Sequence, residues 1–502
     1  MIEKVIVNGG QAVDVNDARL NRLQNIGQGS EQFLTKKQDG TFGYATTNDA
    51  AQILTAAQTM YFVRVWNLAN STPVAASWKG NLAFGQEMES YLGLGCYLVQ
   101  NDHSRRKLAA NNHYRFANGG TAKLDGSMGH YQWGWGVKFY ILVKRYGTLL
   151  ELGASLSYVP GYENYCIPVG SMSAAGWATM ERSTSTLVSY INDTADYRGG
   201  NNDSTKDGLF NTLLGKPASS MTTQAFLTAA RKNGDGWLGS SMRHQAVANI
   251  LFFLIFGTFK VDSPVNNTRD SNGLRQGGLG QGATNAGGWW NTSFNYFPVI
   301  PMSAGIDMGD ACGNFSYDVK DGDDNVLQTM HCQNFFGLKN GLGGIMWRMM
   351  TDEILVSNAD GSQTHYFATN IMKVNGAYTY NIDGTVAGMR AGATTPTDSS
   401  ARWRYISEVA FSCLECIPIS CDGTDSTFFC DGYYNPIATS GSRLVLRSGD
   451  LRFGGLCGPS IVRGYSGVGD AYAFGGSSLC EVTEEWSVDP VDESGQQLAN
   501  AN

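Results

Sequence analysis

Glycine punctuates the second half of this chain so densely that short strands and turns are the natural reading of it. After Leu274 the sequence runs LRQGGLGQGATNAGGWWNTSFNYF, then FFGLKNGLGGIMWRMMTDEI, and glycine makes up 62 of the 502 residues overall. Short β-prone runs are separated by Asp321-Gly322, Asp360-Gly361, Asn375-Gly376 and Asp383-Gly384. These dipeptides supply the backbone conformations that tight hairpins require. No fixed-period repeat organises them.

The pattern is fullest in Arg443–Cys480, RLVLRSGDLRFGGLCGPSIVRGYSGVGDAYAFGGSSLC. It reads as three or four short strands, Arg443–Ser448 and Asp470–Phe474 among them, with glycine at the reversals. Leu444, Leu446, Leu451, Phe453 and Leu456 supply a core side, while polar and aromatic residues fall on turns or on the opposite face. Period-two alternation of this kind sets a rigid sheet behind a mixed surface. No catalytic constellation accompanies it. The stretch is therefore expected to display contact residues, namely Asp450, Arg452, Arg463, Tyr465, Ser466, Asp470 and Tyr472.

Composition narrows the function classes. Charged residues are only 16%, against 11 Trp and 23 Tyr, which suits a loop-rich β protein with aromatic surfaces and excludes a disordered chain. Net charge is −8, and no basic run exceeds Arg105-Arg106-Lys107, so nucleic acid is not an expected partner. The opening MIEKVIVNGGQAVDVND carries charge early and lacks an apolar segment, unlike a secretory signal. The longest apolar run, Ala246–Phe259, is short for a membrane span of about 20 residues and reads as a core helix. Ten scattered cysteines do not resemble a small secreted disulfide scaffold.

Along the chain, residues 1–110 read as a small attachment or oligomerisation module. Helices are expected at Val13–Gln28 and Asn48–Tyr61, and a strand at Tyr61–Asn67. A β-rich connecting segment, 111–160, includes strands at Lys138–Arg145 and Glu151–Tyr158. Within 161–486, Ala174–Asn192 looks helical and Asp196–Asp207 is a polar loop. Thr222–Lys232 is an amphipathic helix with a Thr cap, and Ser240–Phe259 an interior helix. Residues 487–502 read as a flexible tail.

Four pieces resemble one family, in order. Phe336–Asp352, FGLKNGLGGIMWRMMTD, resembles the "GL…GN-x-W-E-W…D" signature of formylglycine-generating-enzyme-like C-type lectin folds. There the glycine permits close approach and the Trp plugs the core. Leu274–Thr284 and Asp196–Asn202 are similar to segments of phage and gut-bacterial proteins with that fold. Phe429-Cys430-Asp431 with Tyr433-Tyr434 resembles their "FCD-x-x-Y". Phe453–Leu456 with Gly475–Cys480 resembles their closing "FGG…G-x-R-L" strands. One departure is Ser478, which stands where the family usually has an Arg that braces the terminal strand. The resemblance spans about two-thirds of the chain, roughly Gly161 to Glu485. It implies a receptor-binding phage fibre or a variable protein of a diversity-generating retroelement, with binding residues on the last strands.

Formylglycine generation, which the same fold hosts, resembles a class that binds copper with two cysteines about five apart. Cys457 lies in the right region, but position 462 is Val and position 452 is Arg. Cys413, Cys416, Cys421 and Cys430 could hold zinc or be buried or paired thiols. Asp318, Asp321, Asp323 and Asp324 could bind calcium or simply form a hairpin turn. The six histidines show no ligand spacing, and His244 on the apolar helix reads as a satisfied core residue. Trp289-Trp290, Tyr296, Tyr433 and Tyr434 are expected in glycine-rich loops, as stacking residues or as buried plugs.

The expectation is an α+β protein: a C-type-lectin-like domain with long insertions behind an N-terminal module. Its expected role is a non-enzymatic phage virion fibre of the head or tail, made in the bacterial host cytoplasm and lacking cofactor or metal. It would bind a host-surface glycan or protein through its last strands and other virion proteins through its first residues, as a homotrimer that does not enter the membrane. Avidity over many copies would compensate for modest single-site affinity. A purely structural decoration protein is the alternative from another class, and a bacterial surface adhesin is the third.

Overall fold

The buried run MRHQAVANILFFLIF forms the helix Met242–Phe256, and none of its fifteen residues reaches solvent. A helix that is apolar nearly all round has to be interior. The Ser241 hydroxyl caps it by accepting from the Arg243 amide, and Gly257, in the left-handed conformation, ends it. The computed structural model describes residues 60–498 apart from 264, 267, 268, 281, 283, 412, 413, 415 and 439. Four short strands ahead of Met60, and Val265–Asn266, are described as backbone only.

Three large sheets meet at this helix. The first runs Trp237–Leu238, Cys480–Val482, Gly170–Ser173, His130–Trp135, Gly95–Val99, Arg105–Ala109, Asn112–Phe116. The second has five strands, ordered Glu163–Ile167, Phe139–Tyr146, Leu149–Ser155, Tyr61–Asn67, Ser77–Gly80. The third follows Met389–Thr395, Gln363–Ala368, Trp347–Ser357, Ser442–Arg447, Val462–Arg463, Gly432–Tyr434, Arg404–Tyr405, and Gly475–Gly476 pairs parallel with Trp347-Arg348. The helix touches a strand of each: Gly170–Ser173, Leu149–Ser155 and Trp347–Ser357. Strand accounts for 35% of the chain and helix for 13%, an α+β or β-rich composition.

Charged groups lock this junction. Asp352, on the central strand of the third sheet, accepts from the Ser241 hydroxyl at 2.6 Å and the Met242 amide at 2.7 Å. It also pairs with Arg243 Nη1 at 3.1 Å. Arg243 in turn donates to the carbonyls of Trp486 and Ala368. One strand turn earlier, Arg348 donates to Gly176 O, Gln245 Oε1 and Gly341 O. Glu353 receives Arg447 and the His365 Nδ1–H. Burial alone would push the Glu353 carboxyl up, but Arg447 and His365 outweigh it and hold it down to about 2.

Several expectations need correcting. The boundaries at 110/111 and 160/161 are not boundaries, because the first sheet joins strands from both sides of each. Gly95–Val99 is buried throughout and can satisfy its backbone only between neighbours. Arg105 clamps Glu481 of the closing strand bidentately at 2.8 and 2.7 Å, and His103 joins at 2.9 Å. Ala174–Asn192 is no helix but holds the hairpin Thr179–Glu181/Thr186–Val188. Gly176 and Ser185 there both take positive φ, which interrupts any helix. Val13 and Asp14 lie in the strand Gln11–Asp14, and the rest of the expected Val13–Gln28 helix lies outside the described residues. So do residues 48–59 of the expected helix Asn48–Tyr61, whose last residue instead opens the strand Tyr61–Asn67.

The tail is not loose at its start. Val488 and Val491 are buried, and Val491 bridges Asn164. The expected helices at Thr222 and Ser240 and the strands at Tyr61, Lys138, Glu151 and Arg443 all form within a few residues of their expected bounds. Ser478, in place of a bracing Arg, is buried. Its hydroxyl accepts from the Ser173 amide at 3.1 Å, and its own amide donates to Ser240 Oγ at 2.7 Å. Among the described residues no helix is long and apolar enough to cross a membrane.

Two predictions follow from these networks. Asp352→Asn leaves the Arg243 guanidinium buried without its counter-charge, and should lower unfolding free energy by about 3–5 kcal/mol in chemical denaturation. Burial holds His244 down to about 4 and His130 down to about 3, against an ordinary 6.5. Both are therefore neutral in the folded protein and protonate first in the unfolded chain. Their contribution is complete above pH 6.5 and is lost as pH falls toward those lowered values. Each should cost about 1.4 kcal/mol per pH unit in that window. His244→Gln should flatten the measured slope by one histidine's share.

Candidate ligand-binding surface

The third sheet ends in a set of aromatic rings, with Tyr434 on a strand and Trp403, Phe453, Tyr465, Tyr472 and Phe474 on the segments that flank its strands. Val462–Arg463 lies between Ser442–Arg447 and Gly432–Tyr434, with Tyr434 beside Arg463 in register. Arg404–Tyr405 pairs outside Gly432–Tyr434 and carries Trp403 at its start. The Trp403 ring lies 4.7 Å from Phe453 and 5.2 Å from Tyr434, and Tyr434 lies 5.9 Å from Tyr465. Tyr472 stacks on Phe474 at 4.5 Å. Beneath them Trp347, fully buried, stacks on Trp403 at 6.2 Å.

All seven expected contact residues belong to this neighbourhood, but not all face outward. Tyr465 is 53% exposed, and Arg452, Arg463, Asp470 and Tyr472 are half-buried. Asp450 and Ser466 are buried, which corrects their assignment as contacts. Asp450 accepts from the Arg452 backbone amide at 2.9 Å and from Nη2 at 2.5 Å. That pair holds the Arg452 guanidinium 4.0 Å above the Phe474 ring. Ser466 lies under Tyr472, whose hydroxyl donates to Asp470 Oδ2 at 2.6 Å and is 2.8 Å from Ser466 Oγ. Asp450 and Ser466 are supports for the surface rather than part of it. Asp470–Phe474 is irregular rather than a strand, because Asp470 turns back to accept from the Gly467 amide at 2.9 Å.

The sequence reading missed Trp403. Its signal was present in the run ARWRY, a Trp between two arginines that Asp398 holds at 3.1 and 3.4 Å. Tyr296 joins from outside the sheet, 6.3 Å from Phe474. Trp290 and Tyr433 are buried plugs. Trp289-Trp290 sits in the helix Gly287–Phe294, not in a loop.

The remaining chemical candidates resolve differently. Cys457 is free and buried, and its thiol donates to the Asp450 carbonyl at 3.3 Å. Cys416, Cys421 and Cys430 are buried, Cys421 and Cys430 as free thiols, and among the described residues they are not gathered into a ligand set. Cys413 lies outside the described residues. Asp321 accepts from the amides of Asp323 and Asn325, which makes that acidic run the turn between Gly313–Lys320 and Val326–Phe335. His244 Nε2–H donates to Glu481 O at 3.0 Å.

One group does bring metal-type donors together. Cys96, His113 and Asp310 place a ligand atom each within 4.8 Å of one another, a set of the kind zinc accepts. Hydrogen bonds already engage them. Lys339 Nζ donates to Tyr131 Oη at 2.7 Å, Tyr131 O–H to His113 Nδ1 at 2.6 Å, and His113 Nε2–H to Asp310 at 2.9 Å. Burial pushes the Cys96 thiol well up and so keeps it protonated, and the Lys339 amine shares the site. The arrangement is a closed polar core.

No protein-family model matches the chain, and no curated protein matches it.

Asp450→Asn tests the support. It removes the counter-charge that holds Arg452 on Phe474, and should cost about 1–3 kcal/mol of stability. Hydrogen exchange of the peptide around 450–457 should quicken, while the buried helix Met242–Phe256 stays protected.

Proposed function

We propose that this chain is a non-enzymatic phage virion appendage protein that binds a host-surface glycan or protein through the ring cluster around Tyr465. The observation that carries this reading is a cluster of part-exposed aromatic side chains, with Tyr434 on a strand of the third sheet and Trp403, Phe453 and Tyr465 joined to it from segments that flank the strands. Rigid aromatic groups lose little entropy on binding and offer large contact area. Such a surface needs no chemistry beyond contact. The C-type-lectin-like architecture suggested by the sequence motifs belongs to the same proposal, as does attachment to the particle through the N-terminal residues and assembly as a trimer.

Trp347 fits the family expectation of a core-plugging Trp, since it lies directly beneath Trp403. An oxidase of the formylglycine-generating type would need a second thiol beside Cys457. That thiol's hydrogen bond to the Asp450 carbonyl instead suits a packing role. The competing reading, a decoration protein that contacts only other virion proteins, would use the same rings against a protein neighbour.

Binding of labelled full-length protein to a panel of bacterial strains separates the two. Receptor binding predicts strain-selective attachment that falls by at least about tenfold in Tyr434→Ala/Tyr465→Ala, with circular dichroism unchanged. Equal attachment by the variant, or attachment to no strain while virions retain the protein, would overturn the receptor reading.

A further inference from the structure

Two arginines stand on this surface, and only one of them is neutralised. Arg452 is tied to buried Asp450 through Nε at 3.0 Å and Nη2 at 2.5 Å. The Arg463 Cζ lies 6.0 Å from the Tyr465 ring centroid and 5.9 Å from that of Phe474. Among the described residues its guanidinium makes no hydrogen bond and no ion pair. Nor is it sealed off, since none of its nitrogens is among the fully buried unpartnered atoms. Burial pushes its pKa down and Arg452 adds repulsion, while Tyr472, Asp450 and Tyr434 nearby only partly offset them.

That combination is costly for a purely structural residue. A half-desolvated charge without a direct ion pair or hydrogen bond destabilises the fold, and ring contacts return only about 0.5–2 kcal/mol. The neighbouring carboxylates are committed elsewhere: Asp450 to Arg452, and Asp470 to the Gly467 amide and the Tyr472 hydroxyl. Arg463 therefore presents free donors in a planar fork that matches an oxyanion, beside the most exposed ring of the cluster.

We infer that the surface takes an acidic saccharide, its carboxylate or phosphate held by Arg463 and its sugar ring lying on Tyr465. This rests on the display reading above and adds the ligand class to it. The chain's net charge of −8 does not attract such a ligand from a distance. Discrimination therefore operates at contact range, within a Debye length of about 8 Å at physiological salt.

The test is a glycan array carrying neutral, carboxylated and phosphorylated saccharides, probed with the full-length protein and with Arg463→Gln, Arg463→Lys and Tyr465→Ala. Binding should be confined to acidic saccharides, and the carboxylated and phosphorylated arms identify which oxyanion is used. Arg463→Gln should lose at least about tenfold in affinity, one charge-assisted contact, and Arg463→Lys should recover part of it. If neutral saccharides bind as well and Arg463→Gln is silent while Tyr465→Ala still abolishes binding, the acidic ligand class is wrong and the display surface stands. If Tyr465→Ala and Arg463→Gln both leave binding unchanged, the display reading fails with it.

Discussion

The buried pair between Arg243 and Asp352 is the interaction on which the architecture turns. Asp352 caps the interior helix and neutralises its first arginine. That arginine then reaches the carbonyls of Trp486 and Ala368, 243 and 125 positions further along the chain. A buried ion pair is weak evidence for net stability, because desolvation consumes most of its Coulomb energy. Its value here is positional: an uncompensated charge at that depth is so unfavourable that helix, central strand and closing segment must arrive together. Arg348 and Glu353 on the same strand repeat the device within a few residues.

The surface at the far side of this sheet inherits that rigidity. Trp347 starts the strand that carries Arg348, Asp352 and Glu353, and its ring supports Trp403 from below. Tyr434 and Arg463 are adjacent because their short strands pair in parallel. Ring positions so defined can recognise a ligand without an ordering cost at the time of binding.

Much of this was legible in the sequence, and the failures have identifiable causes. The interior helix could be read from its apolar run, interrupted at Asn249 and Gly257. The strand Arg443–Ser448 followed from alternation. The closing residues were gathered correctly, but inward and outward were confused at Asp450 and Ser466, because both fall on turns where period-two alternation gives no direction. Trp403 escaped notice since its partners Tyr434 and Phe453 lie tens of residues away, and only strand pairing brings them together. Domain boundaries failed for a similar reason. The clamp of Arg105 on Glu481 joins residues 376 positions apart, and no local composition shift marks it. The hairpin at Thr179 reads as helix in sequence because its positive-φ Ser185 is not a residue type that announces a turn.

Radical footprinting of the full-length protein, free and adsorbed to envelopes of a strain it binds, tests the central claim most directly. The account predicts that Tyr465 is readily oxidised in the free protein and Tyr433 is not. On adsorption, protection should concentrate on Tyr465, Tyr434 and Trp403. Protection elsewhere on the chain with Tyr465 still fully reactive would contradict the claim that this ring cluster is the face that meets the ligand.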